Sequence, residues 1–244
     1  MTRVFQAIPL KSHTKVELDS EASHYLGRVL RMKSGDSLVI FNGEGGEHAA
    51  IVAEIDKKRV LIEVGEFNSR NTESPLTLCL AQGISRGEKM DYTIQKAVEL
   101  GVSQVVPLLT ERCTVKLDAE KRLKRLQHWQ AIAVSACEQS GRNKIPEILT
   151  PQTLQQWLPT SKADLSLVLT PTAPQKLHEI TTGSAINRVI LLIGPEGGLT
   201  ELEIDQAIKQ GFLPLNLGPR ILRTETAAVA ALSVLQTIFG DMVR

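Results

Sequence analysis

The chain has 244 residues, 42% of them hydrophobic and 23% charged, which is typical of a folded globular protein and argues against a disordered or fibrous one. Lysine and arginine together number 28 against 27 aspartates and glutamates, so the net charge of +1 does not by itself indicate a nucleic-acid-binding protein. The three cysteines are far apart and the five histidines form no pair with metal-ligand spacing, which argues against a disulfide framework and a metal site.

The amino-terminal part of the chain predicts one helix followed by short strands. The first residues lack the apolar stretch of a signal peptide, and no apolar run approaches membrane-spanning length, which favours a cytoplasmic protein. Asp19 is the predicted N-cap of a helix that runs to about Leu30. Short β-branched strands are predicted at 37–42, 47–55 and 59–67, with tight turns between them. This pattern predicts a small β-barrel.

The polar, turn-rich stretch 68–75 is the predicted domain boundary, so we expect a first domain at 1–72 and a second at 73–244. Beyond the boundary, apolar strands alternate with helical periods, including a long helix over 119–140. The runs DLSLVLT, VILLIG and LPLNLG are continuously apolar, as expected for parallel strands that are buried on both faces. The second domain is therefore predicted to be α/β, with ligand sites beyond the carboxyl ends of its strands.

Each of those three strands ends in a corner that contains proline, glycine or both, at 169–171, 194–198 and 217–220. Glycine lets the backbone approach a flat group closely, and proline stiffens a loop without needing a hydrogen-bond donor. Neither a P-loop nor the G-x-G-x-x-G dinucleotide pattern is present in the sequence. The three corners therefore predict a ligand site that does not depend on phosphate binding.

Polar residues near the second corner predict how the next helix begins. Thr200 and Glu203 have the spacing of a capping box, which fixes the start of that helix. Glu196 precedes it, and we first interpret Glu196 as a negative charge favoured by the helix dipole. Thr224 is the predicted N-cap of the last helix, which should end near Gly240.

Taken together, six ordered segments resemble the RsmE family of 16S ribosomal RNA uracil-N3 methyltransferases, which belongs to the SPOUT class. They are HYLGRVLRMKSGDSLVIFNGEG (24–45), SRGEKMDYTIQKAVELGV (85–102), ERCTVKL (111–117), ACEQSGRNKIPEI (136–148), LLIGPEGGLTELE (191–203) and LGPRILRTETAA (217–228). The resemblance covers nearly the whole chain. One departure is that a corner reading His-Pro in many relatives is Thr170-Pro171 here, which puts any role of that histidine side chain in doubt.

The resemblance implies a PUA-like RNA-binding β-barrel domain followed by a SPOUT-type α/β knotted methyltransferase domain with a carboxy-terminal trefoil knot. It also implies S-adenosylmethionine as the methyl donor, no metal, and a homodimer whose active site is built across both subunits. The cofactor would be held by the three corners. The implied cofactor-binding residues are Leu169, Thr170, Pro171, Ile193, Gly194, Pro195, Glu196, Gly197, Gly198, Leu217, Gly218, Arg220, Ile221 and Leu222.

The candidate catalytic residues are Arg220, Arg223, Glu138 and Arg142. Removal of the N3 proton places negative charge on the uracil oxygens, which a positioned arginine such as Arg220 or Arg223 would stabilise. The alternative for these two arginines is a structural role, either an ion pair with Glu225 or capping of nearby carbonyls. Glu138 is a candidate general base, and Arg142 a candidate for orienting the target base; for Glu138 the alternative is a surface salt bridge.

Local basic clusters are the expected contacts to 16S ribosomal RNA or to the small ribosomal subunit, because phosphate binding needs several cations together. The candidates are Arg28, Arg31, Lys33, Arg86, Lys89, Arg112, Arg142 and Lys144. Two other functions remain open on the residues alone. One is a SPOUT methyltransferase that acts on another base or on a ribose 2′-hydroxyl, and the other is a non-catalytic RNA-binding assembly factor.

Overall fold

A computed structural model describes residues 1–56, 59–174 and 185–243. The chain forms two compact units. The first consists of Met1–Glu73 together with Cys137–Ile145, and the second of Ser74–Ala136 together with Pro146–Arg244. The first unit therefore includes a short segment from the middle of the chain, which no local sequence pattern indicates.

The first unit is built around a five-stranded sheet with the order β1-β3-β4-β5-β2. Its strands are β1 (Arg3–Phe5), β2 (Lys15–Glu17), β3 (Ser37–Phe41), β4 (Glu47–Ile55) and β5 (Val60–Asn68). β1 pairs with β3 in parallel and the other pairs are antiparallel. The alternation of apolar residues along β3, β4 and β5 buries one face, where Leu38, Val52 and Ile62 form the core.

The predicted helix in the first unit is confirmed, with a change of geometry along its length. Asp19 accepts a hydrogen bond from the Ala22 N–H at 2.8 Å and so caps α1 (Ser20–His24). The chain then continues as one wider π-helical turn over Tyr25–Val29, which buries Leu26 in the core.

The second unit is α/β, as predicted, and its strands are parallel to one another throughout the described pairs. The sheet has the order β12-β10-β11-β6-β7-β8, with β9 also paired to β7. Its strands are β6 (Thr77–Gly83), β7 (Gln104–Leu109), β8 (Glu147–Ile148), β9 (Gln152–Thr153), β10 (Leu165–Leu169), β11 (Arg188–Ile193) and β12 (Leu213–Leu215). Because β12, β10 and β11 are parallel neighbours, their carboxyl ends lie at one edge of the sheet.

Five further helices occur in the described part of the chain: α2 (Glu88–Glu99), α3 (Ala119–Ser140), α4 (Leu154–Trp157), α5 (Glu201–Lys209) and α6 (Thr224–Ile238). The predicted capping box is confirmed, because Thr200 and Glu203 exchange hydrogen bonds at the start of α5. The predicted N-cap of α6 is wrong by one residue: Arg223 occupies that position, and Thr224 is the first helical residue. None of the described helices is long and apolar enough to cross a membrane.

Candidate active site

The three predicted corners meet around one cavity of about 530 Å³ at the carboxyl edge of the second unit's sheet. This volume lies within the range of small-molecule sites, roughly 300–1,000 Å³. The structure brings together around it all the residues predicted from the corners: Leu169, Thr170, Pro171, Ile193, Gly194, Pro195, Glu196, Gly197, Gly198, Leu217, Gly218, Arg220, Ile221 and Leu222. Within the described ranges, no cluster of side chains could hold a metal ion.

Close packing within the protein requires glycine at Gly194 in the 194–198 corner and at Gly83, which lies against it. A Cβ atom on Gly194 would lie 2.7 Å from the carbonyl carbon of Gly198 and from the nitrogen of Leu199. A Cβ atom on Gly83, at the end of β6, would lie 2.5 Å from Pro195. Since real Cβ contacts are longer than this, the corner can fold as it does only with glycine at both positions.

Buried side chains fix the 194–198 corner by hydrogen bonds. The Gly194 carbonyl accepts hydrogen bonds from the Thr224 hydroxyl at 2.7 Å and from the Gln82 amide at 3.2 Å. Gln82 also donates to the Thr224 hydroxyl at 2.9 Å, so the two side chains and the carbonyl form one buried network. Sequence reasoning missed Gln82, although a polar residue inside the apolar strand LCLAQG must find hydrogen-bond partners once it is buried.

Arg112 holds the outer side of the same corner. Its Nη1 donates to the carbonyls of Gly197 and Leu199 at 3.1 and 3.3 Å, and its side chain also lines the cavity. A Cβ atom on Gly197 would lie 3.0 Å from the Arg112 Cβ. The glycine at 197 therefore allows the arginine to pack closely against the corner.

Glu196 makes its contacts at the start of α2, whereas the sequence interpretation assigned it to the start of α5. Its Oε1 accepts a hydrogen bond from the Arg86 N–H at 3.0 Å and lies 3.4 Å from Lys89 Nζ. Burial of the carboxyl group opposes its ionisation, but the hydrogen bonds from its own backbone N–H and from Arg86, together with Lys89, lower the pKa of Glu196 below its usual value. Glu196 is therefore an ionised wall residue whose Oε1 is already engaged within the protein.

The third corner carries charges without partners. Arg220 and Arg223 line the cavity and are exposed. Among the described residues neither arginine has a carboxylate within 4.0 Å, so the alternative ion pair with Glu225 is absent. Asn216 fixes this corner, because its Oδ1 accepts the Gly218 N–H and its Nδ2 donates to the Ala173 carbonyl at 3.2 Å. Ile221 between the arginines is 86% exposed.

The other two candidate catalytic residues, Glu138 and Arg142, belong to the first unit. Glu138 Oε1 accepts the Phe5 N–H at 2.9 Å, and burial raises the pKa of its carboxyl group despite that hydrogen bond. Arg142 is 5% exposed and pairs with Glu73 through Nε and Nη2. The Glu73 carboxylate also accepts the N–H groups of Asn143 and Lys144, so this loop is fixed by one glutamate.

The basic residues expected to contact RNA fall into different environments. Arg28, Arg31 and Lys33 are exposed on and just after the π-helical turn of the first unit, and Lys144 is exposed in the same unit. In the second unit, Arg86 Nε donates to the Thr114 hydroxyl at 2.6 Å, Lys89 pairs with Glu196, and Arg112 binds two carbonyls. Lys89 and Arg112 are therefore cavity-wall residues as well as candidate RNA contacts.

Comparison with known proteins gives a consistent result over the whole chain. Residues 72–236 match the family model of an RNA methyltransferase domain, and residues 18–65 match that of an RNA methyltransferase PUA domain. The ribosomal RNA small subunit methyltransferase E of Buchnera aphidicola subsp. Schizaphis graminum is 41% identical over 98% of this chain and 97% of its own length. The protein of that name from Bacillus subtilis is 35% identical over 89% of this chain and 88% of its own.

Solved structures show the same similarity. A structure from Legionella pneumophila in complex with S-adenosylmethionine has a TM-score of 0.95 and 44% identity, covering 99% of each chain. The ribosomal RNA small subunit methyltransferase E of Neisseria gonorrhoeae, bound to S-adenosylmethionine, has a TM-score of 0.92 and 38% identity over the full length of both chains.

Proposed function

Since the chain belongs to the family of ribosomal RNA small subunit methyltransferase E, we propose that it methylates the N3 atom of a specific uridine in 16S ribosomal RNA, with S-adenosylmethionine as methyl donor. The observation that carries this proposal is the single cavity at which all three corners converge. Such a ribosomal RNA substrate would place the protein in the cytoplasm.

The cavity suits S-adenosylmethionine in shape and chemistry. Apolar side chains such as Leu169, Ile193 and Leu222 form part of the wall, which suits a flat, uncharged base. The ligand carries no phosphate, which agrees with the absence of a phosphate-binding motif in the sequence. When bound, it supplies a methyl group activated on a sulfonium.

In this reaction the protein would align the methyl donor with N3 of the uracil and stabilise the negative charge on the uracil oxygens. The S–CH₃ bond breaks as the N3–CH₃ bond forms, and the N3 proton leaves to a base, so the uracil ring carries negative charge on its oxygens before transfer. Arg220 and Arg223 are exposed cations on the cavity wall without a carboxylate partner in the described chain. We propose that they stabilise this charge, which lowers the effective pKa of N3. The role of Glu138 as the general base stays a prediction, and so does the role of Arg142 in orienting the target uracil.

We further propose that the protein is a homodimer with a trefoil knot in its second domain. Tyr92, Val234 and Ile238 are 47%, 38% and 43% exposed on the neighbouring helices α2 and α6, where a second copy of the chain would cover apolar surface. The hydrogen bond from Thr224 to Gly194 brings the start of α6 against an earlier loop, as expected where a chain passes through a knot.

The test is methylation of small ribosomal subunits and of naked 16S ribosomal RNA isolated from cells that lack this modification. After incubation with the protein and labelled S-adenosylmethionine, we expect N3-methyluridine in the digested nucleosides measured by mass spectrometry. A labelled 2′-O-methyl nucleoside or another methylated base would favour the related SPOUT activities. Tight RNA binding without any methylated product would favour the assembly factor.

A further inference from the structure

The cavity contains charges of both signs that do not pair with one another. Arg220 and Arg223 have no carboxylate within 4.0 Å in the part of the chain that the structure describes, although Glu225 lies on the same wall. The Glu225 Oε2 is buried and has no hydrogen-bond donor from the described residues. Glu196, by contrast, accepts the Arg86 N–H and pairs with Lys89. Glu225 is therefore a wall carboxylate with unused acceptor capacity.

The position of Glu225 in the fold does not account for this arrangement. It lies in the first turn of α6, where the helix dipole favours a negative charge. The dipole explains why an acidic residue is tolerated there, but it supplies no hydrogen bond to the buried oxygen. A buried carboxylate oxygen without a donor is unfavourable. Since Glu225 also lines the cavity, a ligand whose cationic N–H donor reached this carboxylate from the cavity would remove that cost.

S-adenosylmethionine has such a donor at one end only. Its adenine is uncharged, whereas its methionine end is a zwitterion with an ammonium and a carboxylate. A cavity wall that offers an unpaired carboxylate complements the ammonium of this end better than it complements the uncharged adenine. We propose that the Glu225 carboxylate binds the α-ammonium of the methionine end. This inference rests on the proposed function, since it names the group that recognises one end of the proposed cofactor.

The experiment measures binding of three compounds to the intact protein by calorimetry, with wild type and Glu225→Gln. S-adenosylhomocysteine carries the ammonium, its deaminated analogue lacks only that group, and 5′-methylthioadenosine lacks the whole amino-acid end. We expect Glu225→Gln to weaken S-adenosylhomocysteine binding about tenfold or more, because a charge-assisted hydrogen bond is lost. Binding of the other two compounds should be the same in wild type and variant.

The remaining outcomes overturn the proposal in distinguishable ways. Equal weakening of all three compounds would mean that Glu225 only shapes the cavity. A lowered melting temperature with unchanged binding would mean that it only stabilises α6. Unchanged S-adenosylhomocysteine binding with lost methylation would assign Glu225 to proton transfer instead. Glu225→Asp keeps the charge and should retain more affinity for S-adenosylhomocysteine than the glutamine variant. Failure of the proposed function itself would appear separately, as wild-type protein that binds none of the three compounds.

Discussion

The 194–198 corner and the third corner, taken as far as Arg223 and called the 217–223 corner, line the same cavity, yet their polar groups are satisfied in different ways. In the 194–198 corner, the Gly194 carbonyl is held by Gln82 and Thr224, and Glu196 is held by Arg86 and Lys89. In the 217–223 corner, two arginines have no carboxylate partner among the described residues, and Ile221 between them is 86% exposed. The comparison indicates that the 194–198 corner shapes the cavity, whereas the 217–223 corner presents charged groups that a ligand can bind.

The largest expected effect is on the reaction, from removing either arginine of the 217–223 corner. Arg220→Ala and Arg223→Ala should each lower the methylation rate by about 10²–10³-fold, the loss typical of a group that stabilises developing negative charge. The free energy of unfolding should stay within about 0.5 kcal/mol of wild type, because neither side chain is buried. Single-turnover methylation and chemical denaturation measure the two quantities.

Arg125→Ala is the matched control, since Arg125 is an exposed arginine on α3 and does not line the cavity. Its variant should methylate at the wild-type rate. If the two corner variants lost stability and activity together, the 217–223 corner would be structural, and the contrast between the corners would disappear.

Glycine substitutions test whether the 194–198 corner is fixed by close packing. Their expected effect is on the free energy of unfolding, and it is smaller than the effect of the arginine substitutions on the reaction. Gly194→Ala should destabilise the protein by about 3 kcal/mol, because its Cβ would lie 2.7 Å from two backbone atoms that cannot move independently. Gly218→Ala is the control in the 217–223 corner: its Cβ would meet nothing within 4 Å, and only the φ of +110° disfavours a side chain. That strain alone should cost about 1 kcal/mol. Urea denaturation of both variants gives the difference, and equal losses would contradict the steric argument.

The sequence predicts the corners well because their signals are local. Glycine and proline at the ends of apolar strands indicate where backbone must turn tightly, and Thr200 with Glu203 indicates a helix start by spacing alone. These features depend on residues that are near one another in the chain. They can therefore be recognised from the sequence without knowing which distant residues come into contact.

Most features that the sequence does not predict depend on distant contacts, and the others are too short to show a pattern. Thr224 looks like an N-cap, but its hydroxyl is engaged by the Gly194 carbonyl, and Arg223 takes the cap position instead. Glu196 precedes α5 in the chain but bonds to the start of α2. The strands β1 and β2 have three residues each, too few for any periodicity to be recognised.

The smallest expected effect comes from the charge of Glu196, and its sign is set by the lowered pKa. A carboxylate whose pKa is lower in the folded state than in the unfolded state stabilises the fold fully above the unfolded value. That contribution is lost as the pH falls through the folded value. Glu196→Gln should therefore destabilise the protein by at most about 1 kcal/mol near pH 7, since the pair with Lys89 is partly exposed. The difference should shrink as the pH falls through the lowered pKa of Glu196 and in high salt.

Glu138→Gln gives the opposite trend and so serves as the control for Glu196. Burial raises the pKa of Glu138, so its ionisation disfavours the folded state. The wild type should therefore lose stability relative to Glu138→Gln as the pH rises from the unfolded-state pKa of Glu138 through its raised folded-state pKa. It should gain stability relative to Glu196→Gln in a lower range, as the pH rises from the lowered folded-state pKa of Glu196 to its unfolded-state pKa. Denaturation curves of the three proteins across pH measure both slopes. Parallel curves would mean that the hydrogen bonds from Arg86 and Lys89 do not favour the ionised form of Glu196, and that the 194–198 corner is fixed by its buried network alone.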